Sequence, residues 1–358
     1  MPETMQAVVC HGPRDYRLEA VVVPQPGVGE VLVRVEACGI CASDLKCYHG
    51  AAKFWGDDGR RAWAEREVIP GHEFVGEVVQ LDEAAAEHFR VDVGDRVVSE
   101  QIVPCWSCRY CRRGQYWMCD VHNIYGFKRA TPGAMASYMV YPATSLVHKV
   151  SKDIPPAHAA FAEPLSCALH GVERAEIAFE DVVVIAGCGP IGLGMVAGAK
   201  AKSAGHVIAL DAVDHKLDLA RACGADTVVN ITEQDPSEVV LGLTQGYGAD
   251  VYIESAGHPS AVGQGLGLLR KLGTFVEYSV FGEDVTVDWS IISDDKALDV
   301  RGAHLGPHCW PAAISMIESG QLPMDRICTH QLPVSEFKDG LDLVADGSSS
   351  IKVSLIPE

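Results

Sequence analysis

The chain is poor in positive charge. Twenty-nine lysines and arginines stand against 48 aspartates and glutamates, a formal net charge of −19 over 358 residues. So acidic a surface does not track a phosphate backbone, which argues against a nucleic-acid partner. The N-terminus, Met1-Pro2-Glu3-Thr4, lacks a basic region followed by an apolar stretch, so no secretory signal is expected. No uninterrupted apolar run is long enough for a bilayer: the most apolar segment, 182–199, is broken by Gly187, Gly189, Gly192, Gly194 and Gly198. Short-period repeats, low-complexity segments and blocks of like charge are also missing. These absences point to a cytoplasmic protein with no membrane partner, long enough for two domains and a substantial core.

What the chain has in quantity is cysteine, 13 in all, which a reducing compartment keeps mostly as thiols. Five of them fall at metal-type spacings. Cys105, Cys108 and Cys111 follow one another at three-residue intervals, and Cys119 closes the lobe. Four thiolates so close in sequence wrap one ion tetrahedrally and leave no position open, the arrangement of a structural zinc. The fifth, Cys41, lies in Gly39-Ile40-Cys41-Ala42-Ser43-Asp44, with His72 and Glu73 following in Gly71-His72-Glu73 and Glu163 further on. A mixed set of sulfur, nitrogen and oxygen ligands with room for substrate describes a catalytic zinc. Either Glu73 or Glu163 supplies the oxygen. Ser43 is placed to pass an alcohol proton outward, and Asp44 to accept the N–H of His72 and fix its tautomer. The other eight cysteines have no spacing signature and read as small buried hydrophobes.

A dinucleotide fingerprint follows. Gly187-Cys188-Gly189-Pro190-Ile191-Gly192 has the G-x-G-x-x-G form after a strand of apolar residues. Gly187 suits the tight turn, Gly189 the close approach of pyrophosphate, and Gly192 the packing of helix on strand, while the helix opening at Pro190 and Ile191 offers its free N–H groups. Asp211 ends the next strand, where a carboxylate accepts both ribose hydroxyls and repels a 2′-phosphate, so NAD is expected over NADP.

Hydrophobic periodicity organises the rest. Strands are expected over 6–9, 30–36, 74–80 and 96–100, an irregular β-rich domain. After about residue 155 strands and helices alternate: strands 182–186, 207–210, 227–229, 251–254 and 274–278, with helices 191–203, 216–223 and 261–269 between them. Such alternation builds a doubly wound parallel sheet, an α/β Rossmann domain. From about residue 298 the chain is expected to return to the first domain, ending in a helix over 311–319 and a strand over 352–355. The expected division is therefore 1–155 and 298–358 for zinc binding and catalysis, and 156–297 for NAD.

At these motifs the chain resembles, essentially end to end, the zinc-containing medium-chain dehydrogenase/reductase superfamily. The resemblance rests on residues 39–44, on Pro70-Gly71-His72-Glu73-Phe74-Val75-Gly76, on the four-cysteine lobe and on the glycine motif. It implies a GroES-like catalytic domain carrying an inserted Rossmann domain, two zinc ions per subunit, NAD, and a homodimer or homotetramer. Ala162-Glu163-Pro164-Leu165 is similar to the polyol dehydrogenase branch, where a glutamate before Pro-Leu serves zinc directly or through water. An Arg-Tyr pair by which sorbitol dehydrogenases hold distal hydroxyls is missing from residues 302–310. Phe54-Trp55 and residues 273–281 resemble bacterial dehydrogenases of four-carbon polyols. The implied reaction is zinc-dependent oxidation of a secondary alcohol of a tetritol, such as erythritol or L-threitol, to a ketose. Phe54 and Trp55 are then candidates for a cavity wall or for ordinary packing, and Glu277, at a strand end, for a hydroxyl acceptor or a solvated acid. Oxidation of L-threonine or of a butanediol is the enzymatic alternative, and a zinc-stabilised binding module the non-enzymatic one.

Overall fold

In a computed structural model describing residues 1–358, the β-branched runs of the first half pair into a seven-stranded sheet. Its central strand, Val31–Gly39, pairs antiparallel with Glu73–Leu81, with Tyr138–Tyr141 and with the C-terminal strand Lys352–Ile356. Arg96–Ser99 and Val147–Lys149 extend one side, and Cys328–Pro333 the other. Val33, Val35, Phe74, Val78, Tyr125 and Tyr141 are buried together against it. At about 1.5–3 kcal/mol for each large apolar side chain removed from water, such a cluster outweighs the irregular loops around it. The register of these strands sets Gly39 opposite Glu73 and beside Ser354, which brings the start of the His72-Glu73 strand to the end of the strand preceding Cys41.

A second compact unit comprises Pro164–Cys309 and Ser319–Ile327, while Met1–Glu163, Trp310–Glu318 and Cys328–Glu358 make up the first. The second unit is built on six parallel strands in the order Thr227–Asn230, His206–Asp211, Val182–Ala186, Ala249–Glu254, Leu269–Glu277, Asp299–Gly302. Helices Pro190–Ala201, Asp214–Ala222, Pro236–Leu243 and Pro259–Leu268 join them. This is the doubly wound order, in which the direction of winding reverses between Val182–Ala186 and Ala249–Glu254 and opens a crevice at their carboxyl ends.

Several elements depart from the periodicity reading, two of them in the second unit or at its entry. The chain does not leave the nucleotide sheet at residue 298: Asp299–Gly302 adds a sixth parallel strand, and the first unit resumes at Trp310. Asp299-Val300-Arg301-Gly302 is short and charged because it forms an edge, so it lacks the apolar run that marks an inner strand. A 14-residue helix, Ala162–Ala175, also has no counterpart among the expected elements. Pro164 occupies its first turn, where a missing N–H breaks no bond. No helix is long and apolar enough to cross a membrane.

Candidate active site

Where Val31–Gly39 ends, the chain turns into helix Ala42–Tyr48 with Cys41 at its N-cap, and Asp44 Oδ2 accepts the Cys41 backbone N–H at 2.9 Å. The strand register carries Glu73 to the same place, and only a glycine at 39 leaves room for its carboxylate. The ligand atoms of Cys41, His72 and Glu73 all lie within 4.8 Å of one another. Asp44 Oδ1 stands 3.4 Å from His72 Nδ1, and Ser43 Oγ 3.4 Å from Nε2, so the two neighbours address opposite ring nitrogens. Burial disfavours a charged imidazole, yet Asp44 and the Cys41 sulfur hold the His72 pKa well above its ordinary value. The pocket therefore calls for a cation. A zinc ion on one sulfur, one nitrogen and one carboxylate oxygen fits it, with a fourth position left for substrate.

Of the two carboxylates that spacing alone leaves open, Glu73 is the one grouped with Cys41 and His72. Glu163, also buried, accepts a hydrogen bond from Gln101 Nε2 at 2.5 Å. Lys352 joins the site without any motif to announce it. Its buried Nζ donates to Glu73 Oε2 at 2.5 Å and to the Ile40 carbonyl at 3.0 Å. Burial pulls its pKa down, but Glu73 and then Cys41 raise it above the usual value, so it stays an ammonium and fixes one oxygen of Glu73. The signal in the sequence is a lone lysine between Ile351 and Val353, both buried.

An aromatic chain borders this pocket. Phe54 stacks on Phe127 at 5.4 Å, Trp63 lies 5.1 Å from Phe127, and Phe127 is 5.3 Å from the His72 ring. Trp55 does not join it: its indole N–H donates to the Cys47 carbonyl at 2.7 Å, and Arg66 covers its ring. Of the Phe54-Trp55 pair, Phe54 thus joins the aromatic chain through Phe127 and Trp55 packs on the neighbouring helix. Trp63 and Phe127 have no sequence signature.

The four-cysteine lobe also closes on a point. The sulfurs of Cys105, Cys108, Cys111 and Cys119 lie within 4.8 Å of one another. Backbone N–H groups donate to three of them: Cys105 N–H to Cys119 Sγ at 3.4 Å, Cys108 N–H to Cys105 Sγ at 3.3 Å, and Cys111 N–H to Cys108 Sγ at 3.4 Å. The Ser107 hydroxyl, with backbone N–H groups, lowers the Cys105 pKa to about 6, whereas burial and the adjoining sulfurs push Cys111 up to about 12. Four thiols in one another's way cannot all ionise unless a cation sits among them, and a tetrahedral zinc meets that need.

In the second unit the chain leaves Val182–Ala186 through Gly187, at φ +92°, with Ala256 packed so close that a side chain at 187 has no space. Gly189 caps helix Pro190–Ala201 and faces open space, with Pro190 and Ile191 half-buried beside it, while Gly192 lies against the Gly187 carbonyl. A cavity of about 480 Å³ opens here, lined by Gly187, Gly189, Asp211, Lys216, Ser255 and Gln264 among others. Asp211 Oδ2 accepts the Cys188 N–H at 2.7 Å and Oδ1 the Val213 N–H at 3.0 Å, which fixes the carboxylate at the rim. An open glycine at a helix N-terminus beside a fixed carboxylate fits a dinucleotide. Lys216 in the same cavity is a second polar contact, one that no motif marks. Glu277 is half-buried at its strand end, where Oε1 accepts the Ser279 N–H at 2.8 Å and the carboxyl lies against Glu254.

Comparison with known proteins agrees with this architecture. Residues 27–152 match the alcohol dehydrogenase GroES-like domain, and residues 190–319 the zinc-binding dehydrogenase domain. Over 357 residues the chain is 74% identical to an erythritol/L-threitol dehydrogenase of Mycolicibacterium smegmatis, covering 100% of this chain and 99% of that protein. An L-threonine 3-dehydrogenase of Thermococcus kodakarensis is 35% identical, with 100% and 99% covered. The NADP-bound crystal structure of a protein assigned as a zinc-binding dehydrogenase from Sinorhizobium meliloti superposes with a TM-score of 0.88 at 29% identity, covering 99% of this chain and 100% of that one. With two matched domains in the expected order and a relative so similar along its full length, the chain belongs to the zinc-binding alcohol dehydrogenase family, in the medium-chain dehydrogenase/reductase superfamily.

Proposed function

We propose that this enzyme oxidises a secondary hydroxyl of a four-carbon polyol, erythritol or L-threitol, to a tetrulose, with hydride passing to NAD. The observation that carries the reading is the 74% identity, covering the whole chain, to an erythritol/L-threitol dehydrogenase; the threonine dehydrogenases stand much further off at 34–35%. Cys41, His72 and Glu73 would hold a zinc ion, which would supply Lewis acidity toward an alcohol oxygen. The chain does the rest. Asp44 holds His72 in one tautomer, Lys352 keeps Glu73 aimed, and the Ser43 hydroxyl carries the alcohol proton outward. Glu163, bonded to Gln101, serves as the outer carboxylate that gates the site. Phe54 and Phe127 exclude water from one side, and Glu277 acts on the cofactor side of the reaction rather than as a hydroxyl acceptor. Zinc chemistry falls to the first unit and NAD to the second, and a second zinc in the cysteine lobe is structural.

The working form is a homodimer or homotetramer in the cytoplasm. Two observations support this: all 13 cysteines are free thiols, and strand Asp299–Gly302 leaves one edge of the nucleotide sheet unpaired with Val300 40% exposed.

The direct test compares kcat/KM with NAD for erythritol, L-threitol, xylitol, sorbitol, L-threonine and 2,3-butanediol. The best tetritol is expected to exceed sorbitol by about tenfold or more, the scale set by one or two well-placed polar contacts. A preference for sorbitol or for L-threonine would overturn the substrate and leave the zinc chemistry standing. A second expectation concerns the cofactor. Asp211→Ala removes the ribose acceptor, so KM for NAD should rise by about tenfold, while NADP, favoured by Lys216 in the same cavity, changes little. If the wild-type enzyme has the higher kcat/KM with NADP, the assignment of Asp211 fails.

A further inference from the structure

Glu254 and Glu277 end neighbouring parallel strands and stand opposite each other in the register. Glu254 is 0% exposed. Its Oε1 accepts two backbone N–H groups, from Ala256 at 2.9 Å and Gly257 at 2.8 Å. Its Oε2 is buried and receives no donor from the rest of the chain. Glu277 is held in the same way, with Oε1 on the Ser279 N–H. The Glu277 carboxyl lies against that of Glu254, which keeps an oxygen that no donor satisfies, and two such groups attract each other only if a proton lies between them.

What this pair adjoins gives it a use. Glu254 lies at the point where the winding of the sheet reverses, and the residues its carboxylate holds press on the dinucleotide turn. Ser255 Oγ donates to the Ala186 carbonyl at 2.8 Å and the Gly187 carbonyl at 3.2 Å, and Ala256 fills the space above Gly187. Gly257 in turn packs near Ser279, the residue that anchors Glu277. On the other side Glu277 lines an apolar cavity of about 510 Å³ with Phe275, Phe281, Val287 and Trp289, which offers it no counter-charge.

We infer that Glu254 and Glu277 share one proton and that this proton, by holding the two strand ends together, keeps the Gly187 turn in shape for NAD. They act as positioning residues. Loss of the proton sets two negative charges across adjacent strands and loosens residues 255–257 from the turn. The inference rests on the reading of the second unit as the NAD-binding part of the enzyme.

The neighbours do not compensate. Tyr252 on the Glu254 strand is itself pushed to a higher pKa, by burial and then by Glu254 and Glu277. His258, which caps the helix Pro259–Leu268, is turned to Ser260 at 2.7 Å. Arg301 on the edge strand is taken by Asp299 and Glu176. Glu283 and Asp284, beyond Phe281, are exposed acids. Burial first, and then Glu254, raise the Glu277 pKa from 4.5 to about 8. The folded chain thus keeps a proton that the unfolded chain gives up above its ordinary carboxyl pKa, and stability from this source falls as pH rises through that window and is gone above about 8.

The experiment measures the Kd for NAD by tryptophan fluorescence, and the thermal midpoint of the cofactor-free protein, from about pH 7 to about pH 9.5. Wild type, E277Q and Asp211→Ala are compared. Each pH unit above the pKa costs up to about tenfold in a fully coupled equilibrium, so wild-type Kd should rise by about fivefold or more across the range and its Tm should fall. E277Q, whose amide N–H replaces the shared proton at every pH, should hold both nearly constant. Asp211→Ala should bind weakly throughout and keep the wild-type pH trend. A wild-type Kd flat within about twofold overturns the coupling to the cofactor, and identical Tm profiles for wild type and E277Q overturn the shared proton. Should wild type bind no NAD at any pH, the cofactor reading fails and the positioning role with it, while the Tm profiles still decide whether the proton is shared.

Discussion

Replacing Cys41 by Ser is expected to lower kcat/KM by about a thousandfold or more while the Kd for NAD stays within about twofold of wild type. The size follows from the chemistry withdrawn: Lewis-acid stabilisation is worth several kcal/mol, and each 1.36 kcal/mol is a factor of about ten in rate. Serine keeps the geometry but not the ligand, because its hydroxyl stays protonated where a thiol on zinc does not. The helix should survive, since Cys41 is the N-cap of Ala42–Tyr48 and serine is among the preferred N-cap residues. NAD binding should survive because Gly187, Asp211 and Lys216 line a cavity within the second unit. Bound zinc, measured after dialysis against a mild chelator, should fall from two ions per chain to one, in keeping with the two ligand groups. A Cys41→Ser enzyme that keeps both ions and turns over normally would remove Cys41 from the catalytic site.

That such a substitution can be chosen from the sequence reflects how local the strongest signals are. The cysteine lobe, the Gly39–Asp44 segment and the glycine motif each compress their chemistry into a few consecutive positions, where spacing alone fixes what can meet. Strand Val182–Ala186 is equally local, and its observed limits coincide with the apolar run. Lys352, Phe127 and Glu254 are different. Lys352 reaches Glu73 only because the C-terminal strand pairs beside Val31–Gly39, and no pattern along the chain encodes that pairing. Phe54 and Trp55 show the same limit at short range: consecutive residues on one helical turn point in different directions, so only one of them joins the aromatic chain beside His72. Glu277 is visible in the sequence as a strand-end acid, but its partner is not, because the Glu254–Glu277 contact is a register property of two parallel strands joined by a helix.

The cysteine lobe gives the complementary expectation. Cys108→Ser should lower Tm by about 5–10 °C and sensitise the lobe to proteolysis, yet leave kcat of the intact fraction within about threefold. Between Cys105 and Cys119 the regular structure is limited to two short turns, Cys111–Arg113 and Tyr116–Met118, and Trp106 and Met118 are 43% and 46% exposed. A segment with so little apolar surface of its own to bury draws its order from the metal, and metal binding is then folding free energy. A loss of about 2–3 kcal/mol in a domain of this size corresponds to a Tm shift on the scale stated. Cys108 is the residue to change because it joins two links of the ring: its N–H donates to Cys105 Sγ and its own sulfur accepts from the Cys111 N–H. Without it the remaining thiols hold zinc weakly, and Cys105, with a pKa of about 6, becomes a reactive thiolate at neutral pH. Zinc should again fall from two ions to one, but the ion lost is the other one, so the variant titrates with a thiol reagent at the lobe while Cys41→Ser does not. A folded Cys108→Ser protein retaining both ions at unchanged affinity, with wild-type Tm, would show that the lobe orders without its metal.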